Sequence, residues 1–176
     1  MPRTALLFAA SLLLAAAGCA ALPVAPAPAA TFVVVRHAEK AADDPSDPVL
    51  AEAGRQRAAA LAASLADEPV VAVYSTDYRR TRQTAAPVAA RHGLEVRPYD
   101  ATQPADTFAR ELRNRHPAGT VVVVGHSNTV PAIVSALCAC TVAAMDESEY
   151  DNRYTVRFGE DGRARLVHAR DGDRPR

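Results

Sequence analysis

Two short runs constrain this chain more than anything else in it. They are Phe32–Val35 and Val121–Val124, each with a histidine two positions beyond its last valine. Consecutive β-branched and aromatic side chains alternate to the two faces of an extended strand, so both faces of these strands must be covered. Parallel strands in an α/β sheet meet that condition; strands with one wet face do not. In open α/β sheets, ligands collect outside the carboxyl ends of the strands. Arg36-His37 and Gly125-His126-Ser127-Asn128 stand at those ends. Between them, Tyr74-Ser75 opens onto Asp77-Tyr78-Arg79-Arg80-Thr81-Arg82-Gln83-Thr84-Ala85. Two histidines and two or more arginines can therefore converge on one anion.

The remaining segments read as helices and further strands. Ala41–Val49, with three aspartates and two prolines, is a loop. Leu50–Ala66 is helical, with Leu50, Ala58, Leu61, Ala62 and Leu65 on one face. Pro69 stops it, and Val70–Tyr74 is the second strand. Asp77–His92 is a helix capped by Gly93, and Leu94–Arg97 is a strand that Pro98 places near an edge. Phe108–Arg115 is a helix ended by Pro117. Thr120–Val124 is the fourth strand, and Thr129–Leu137 is a helix with Pro131 in its first turn. Tyr154–Phe158 and Arg165–Ala169 flank Gly159-Glu160-Asp161-Gly162 as a terminal hairpin. This alternation specifies an α/β fold, a three-layer α/β/α sandwich with a mostly parallel central sheet. One domain is expected over residues 31–169, with 170–176 as a flexible tail.

Residues 1–18 combine Arg3, an apolar Ala5–Ala17 run and small residues, as a secretory signal does. The run is too short and too rich in alanine for a membrane-spanning helix. Ala16-Ala17-Gly18-Cys19 resembles a bacterial lipobox, which makes Cys19 the lipidated first residue of an exported, periplasm-facing lipoprotein. Ordinary cleavage between Ala17 and Ala29, with Cys19 discarded, is the alternative and gives a periplasmic protein. Pro23, Pro26 and Pro28 make residues 19–30 a semi-rigid tether. Cys138 and Cys140 are too close in sequence for an unstrained disulfide and are expected as small buried apolar residues at a helix end. The formal net charge is zero, which argues against nucleic-acid binding by counterion release. Lys40 is the only lysine, so nearly all the positive charge sits on planar guanidiniums suited to bidentate anion contacts.

A phosphomonoester dianion requires fixed positive charge and several donors, and phosphoryl transfer requires mainly positioning and electrostatic stabilisation. A neutral imidazole serves as nucleophile when its other nitrogen is held by a backbone carbonyl. Neighbouring arginines keep it neutral. Arg36-His37-Ala38-Glu39 resembles the Arg-His-Gly motif of the histidine phosphatase superfamily, in its phosphoglycerate mutase-like branch. Ser75–Ala85 is similar to that family's Ser-x-x-x-x-Arg-Ala-x-Gln-Thr-Ala motif, with Arg80 at the arginine. Gly125-His126-Ser127 matches its late Gly-His-Gly or Gly-His-Ser, and Leu50–Ala58 its Leu-Ser/Thr-x-x-Gly-x-x-x-Ala helix start. The resemblance runs from Thr31 to Phe158. It implies that His37 is the phospho-accepting nucleophile, that Arg36, Arg80 and His126 bind the phosphoryl group, and that neither metal nor cofactor takes part. A small phosphorylated substrate and a monomeric state are expected. Two positions depart from the pattern. Ala51 replaces the family's capping Ser or Thr, and Ala38 replaces the glycine after the nucleophile.

The resemblance leaves the general acid open among Glu39, Asp100 and Asp106. Each has a plain alternative as an arginine partner or, for Asp106, a helix cap. His92, His116 and His168 are expected to face solvent, and Arg79 and Arg82 to be solvated faces or specificity contacts rather than catalysts. Gly125-His126-Ser127-Asn128-Thr129 lacks the last glycine of a nucleophile elbow, and His168 is the only later histidine, so a serine hydrolase ranks low. A non-catalytic phosphate- or phosphoester-binding lipoprotein with the same fold is the alternative to a metal-independent phosphatase.

Overall fold

The computed structural model describes residues 29–170. The lipobox, the signal segment and most of the tether lie outside these residues. Ten elements follow one another: β1 (Ala30–Arg36), α1 (Glu52–Ser64), β2 (Val70–Ser75), α2 (Arg79–Arg91), β3 (Val96–Pro98), α3 (Ala105–Arg115), β4 (Gly119–Gly125), α4 (Val130–Cys138), β5 (Asn152–Phe158) and β6 (Ala164–Arg170). They form one six-stranded sheet in the order β3-β2-β4-β1-β5-β6. Its first four strands are mutually parallel, while β5 and β6 run antiparallel at the far edge.

The two valine-rich runs are the two central parallel strands, and both of their faces are dry. Val33, Val35, Val122 and Val124 pack with Leu61 and Leu65 of the α1 segment and Val88 of α2. Phe32, Val34, Val121 and Val123 pack on the other side with Phe108 and Leu112 of α3 and Ile133, Val134 and Leu137 of α4. A period of two in the strands thus feeds two helical layers, the expected three-layer sandwich. Among the described residues no helix is long and apolar enough to cross a membrane.

The register positions the site. β1 and β4 pair from Ala30–Gly119 through Arg36–Gly125, and the next amide, His37 N–H, donates to the Gly125 carbonyl at 2.9 Å. His37 and His126 therefore stand one position past the end of the same ladder. β2 ends beside them, with Ser75 opposite Val124.

Three expectations are corrected. Cys138 and Cys140 form a disulfide. They are half-buried and exposed rather than core residues. Between them Ala139 takes a left-handed conformation (φ 51°) and reverses the chain, so the two Cα atoms lie 5.2 Å apart. An argument from sequence spacing alone misses that turn. His116 does not face solvent. It is 8% exposed and shares a hydrogen bond of 2.9 Å with the Tyr74 hydroxyl, because it sits at the C-cap of α3 with its ring edge-on to Tyr74 of β2. Finally, Arg170, expected in the tail, belongs to β6, where it pairs with Asn152 and forms an ion pair with Asp151 at 3.5 Å. His168 is exposed as expected, and His92 is half-buried with Nε2 3.1 Å from the Leu65 carbonyl.

Candidate active site

Burial and hydrogen bonding hold His37 in one tautomer. The residue is 4% exposed, and its Nδ1 lies 2.8 Å from the backbone oxygen of Ala38. A carbonyl can only accept, so Nδ1 carries the proton and Nε2 keeps its lone pair. The Ala38 amide in turn donates to Thr84 Oγ1 at 3.0 Å, and that hydroxyl donates to the Arg80 carbonyl at 2.8 Å. The start of α2 is thereby tied to the turn that carries His37. Burial first, then the charges of Arg36, His126 and Arg80, lower the His37 pKa to about 4 against the pull of the Ala38 hydrogen bond.

His126 faces His37 with ring centroids 5.5 Å apart. Its Nε2 lies 2.9 Å from Thr76 Oγ1, and the Tyr78 ring stands edge-on to it at 5.3 Å. Burial, followed by Arg80 and Arg36, lowers its pKa to about 4, with Glu147 opposing. Both imidazoles are therefore neutral in the ligand-free site at neutral pH.

Arg36 and Arg80 stand on the first strand and at the start of α2, as the sequence implied. Arg36 is 2% exposed. Its Nη1 donates to the carbonyls of Asp146, Glu147 and Glu149 at 3.1, 2.7 and 3.3 Å, and its Nη2 to Glu147 Oε2 at 2.9 Å. Tyr150 covers its flat face at 4.2 Å. Arg80 lies 4.4 Å above the Tyr78 ring, and its Nη1 is 3.8 Å from an Asp47 carboxylate oxygen, an ion pair too long for a hydrogen bond. Each guanidinium nevertheless keeps one buried nitrogen without a hydrogen-bond partner, Arg36 Nε and Arg80 Nη1. A buried donor left unpaired costs roughly 1–3 kcal/mol. Two of them beside two neutral imidazoles mark where an anion belongs.

The pocket at this point has a volume of about 450 Å³. Besides His37, Arg80 and His126, its wall includes Lys40, Tyr78, Thr102, Ser127 and Glu147. A neighbouring pocket of about 270 Å³ between α3 and α4 shares Ala101, Asn128 and Thr129 with it.

None of the three candidate acids lines the His37 pocket. Glu39 is held by Arg57 at 2.6 Å, and that hydrogen bond lowers its pKa. Asp100 lines the neighbouring pocket and turns one oxygen onto Thr102, accepting from its amide and hydroxyl at 2.8 Å each. Asp106 is exposed in the first turn of α3, on a separate surface with Arg110 and Arg113. Of the two other arginines of the α2 start, Arg79 binds Asp47 through its backbone and side chain, while Arg82 is exposed and pairs with Asp77.

The carboxylate that does line the pocket, Glu147, was not singled out in the sequence. It bridges Arg36 Nη2 and the buried Ser127 hydroxyl. The Ser127 hydrogen bond, then the charges of Arg36, Lys40 and His37, lower its pKa. A topological signal was available. β5 runs antiparallel to β1, so the residues just before β5 must lie beside the carboxyl end of β1. The acidic segment Asp146-Glu147-Ser148-Glu149 occupies that stretch.

Comparison with known proteins agrees with this geometry. The model of the histidine phosphatase superfamily (branch 1) matches residues 32–103. A protein of Mycobacterium tuberculosis, Rv0525, is 49% identical over 47 residues, which span 27% of this chain and 23% of that protein. The same fold occurs in the protein histidine phosphatase SixA complexed with tungstate, with TM-score 0.65 and 20% identity over 80% of this chain and 96% of that one. It occurs again in the mycobacterial glucosyl-3-phosphoglycerate phosphatase Rv2419c, with TM-score 0.62 and 20% identity over 78% of this chain and 97% of that one. Over residues 32–103 the chain is therefore similar to the histidine phosphatase superfamily (branch 1), and its fold is the one these phosphatase structures share.

Proposed function

We propose that this protein is a metal-independent phosphatase that hydrolyses phosphomonoesters or phosphohistidine through a phosphohistidine intermediate on His37. The observation that carries the reading is the pair of buried donors without a hydrogen bond, Arg36 Nε and Arg80 Nη1, beside a neutral His37 whose Nδ1 is fixed by Ala38. Catalysis demands more than binding does, and an imidazole held in its nucleophilic tautomer has no use in a simple anion receptor. The tungstate of the SixA structure is a tetrahedral oxyanion, which supports reading this pocket as an oxyanion site.

In the first step His37 Nε2 attacks phosphorus in line, and the bond to the leaving oxygen breaks. Arg36, Arg80 and His126 surround the transferring oxygens. His126 gains a proton as the anion's charge offsets the arginines, and then donates to an oxygen. In the second step water attacks the phosphohistidine, the N–P bond breaks and inorganic phosphate leaves. Alkaline quench during turnover of para-nitrophenyl phosphate should trap phosphate on His37 as an acid-labile, base-stable adduct. The His37→Ala variant should lose turnover and still bind vanadate. A wild type that binds vanadate but hydrolyses no phosphoester would replace this reading with the non-catalytic phosphate-binding one. The proposal includes export, with the catalytic domain held at the membrane by a lipid on Cys19.

A further inference from the structure

A phosphatase of this kind must protonate its leaving oxygen and then activate water, and the carboxylates suggested by the sequence are all elsewhere. We infer that Glu147, carried on the loop before β5, is the group that transfers both protons. The inference rests on the phosphatase reading above.

Placement is the first argument. In the planar guanidinium of Arg36, Nε and Nη2 point along one edge, the fork that takes two oxygens side by side. Glu147 Oε2 occupies Nη2 of that edge at 2.9 Å, and Nε is the buried donor without a partner. A phosphoryl oxygen bound at Nε is therefore the immediate neighbour of the Glu147 carboxylate.

Rigidity is the second argument. Arg36 Nη1 is clamped by three carbonyls of the same loop, those of Asp146, Glu147 and Glu149. Asp146 closes the turn by accepting from the Ser148 amide at 2.8 Å, and the Glu149 carboxylate accepts from the Asp146 amide at 2.9 Å. The other Glu147 oxygen accepts from Ser127, a 6% exposed residue next to His126. The backbone of Glu147 is thus referenced to the residue before the nucleophile, and its carboxylate to the residue after the second histidine. Access is the third argument. The side chain is 75% exposed to the pocket mouth, where a leaving group departs and water enters.

The proton balance closes over one turnover. The substrate binds as its phosphate monoanion, present near its second ionisation at about pH 6, with its proton shared in a hydrogen bond to the Glu147 carboxylate. When His37 Nε2 forms its bond to phosphorus, the P–O bond breaks and the leaving oxygen takes that proton, leaving Glu147 ionised. In the second step Glu147 removes a proton from the attacking water. The N–P bond breaks, its electron pair returns to His37 Nε2, and Glu147 passes the water's proton to the departing phosphate, which restores the carboxylate. Ser127 is a positioning residue that orients the carboxylate.

The experiment compares kcat/KM, which reports the steps through phosphorylation, for an alkyl and an aryl phosphate in wild type and Glu147→Gln. General acid catalysis contributes about 10²–10⁴-fold. The alkyl phosphate should lose on the order of 10²-fold or more, while the aryl phosphate, whose leaving oxygen needs no proton, should lose far less. Alkaline quench with the aryl substrate should show the variant accumulating phosphohistidine, because water activation is slowed. Ser127→Ala, which keeps the carboxylate, should show a smaller loss with the same leaving-group selectivity. Vanadate binding by Glu147→Gln at the wild-type level checks that the loop is intact. Equal losses on both substrates, or none, would overturn this inference alone. A wild type that hydrolyses neither substrate would overturn the phosphatase reading and this inference together.

Discussion

His37 and His126 each have a pKa of about 4 in the folded protein, against 6.5 for an ordinary histidine. Between those values the unfolded chain binds protons that the folded site refuses, so stability rises with pH across this window. Their contribution is complete above pH 6.5 and is lost as pH falls toward 4. Thermal melting points measured from pH 7 down to 4 should therefore fall, and the His37→Ala variant should show a shallower slope. An equally steep decline in the variant would contradict the assignment. Arg80 makes a separate prediction. Under the proposed mechanism its Nη1, which makes no hydrogen bond, serves both the bound anion and the transition state, so Arg80→Ala should weaken vanadate binding and also reduce kcat/KM, by about 10²–10³-fold. His37→Ala, by contrast, should lose rate while retaining binding.

Two elements meet the site through backbone. α1 lies so close to the chain beyond β1 that a Cβ on Gly54 would overlap the Glu39 carbonyl oxygen. The same oxygen accepts from the Ala51 amide at 2.9 Å, so the entry to α1 is stitched to the turn two residues past His37. Gly54→Ala must push that turn aside. It should cost about 1–3 kcal/mol, the scale of overpacking, and lower turnover as His37 shifts, measurable by denaturant melts and steady-state assay. At the end of α4 the Cys138–Cys140 disulfide closes a very short loop. In the chain-entropy account such a loop contributes only about 1.5 kcal/mol. Reduction should therefore lower the denaturation midpoint slightly and leave turnover intact, since Arg36 and not the disulfide anchors the loop that carries Glu147.

At the scale of the whole molecule, the carboxyl ends of β1, β2 and β4 form one rim, and the described chain enters β1 at the opposite end of that strand, at Ala30. An anchor on the amino-terminal side would therefore leave the pocket facing away from its attachment. A lipid on Cys19 supplies stable anchoring when more than one acyl chain is present. Under the proposal, Cys19→Ser should move the protein from the membrane fraction to the soluble fraction of an exporting cell without changing kcat/KM. A wild type that is already soluble after export would refute the anchor.

The sequence alone determined the strands, the helices and the principal cationic residues, because those depend on local pattern. Four apolar residues in a row need two covered faces, and Arg36, His37, Arg80 and His126 each sit at or just beyond a strand end, or at the start of the helix after one. Cooperative packing then had little choice about where they met. What only the tertiary structure decided were the relations between residues distant in sequence or reversed by a turn. Glu147 lies 111 positions from Arg36 and reaches it because β5 returns antiparallel beside β1. The Cys138–Cys140 disulfide depends on one left-handed residue between them. The burial of His116 depends on a Tyr74 hydroxyl 42 positions away. None of these carries a periodic signal, since hydrogen bonds and dihedral angles are set by which chain passes alongside, and only the folded sheet specifies that.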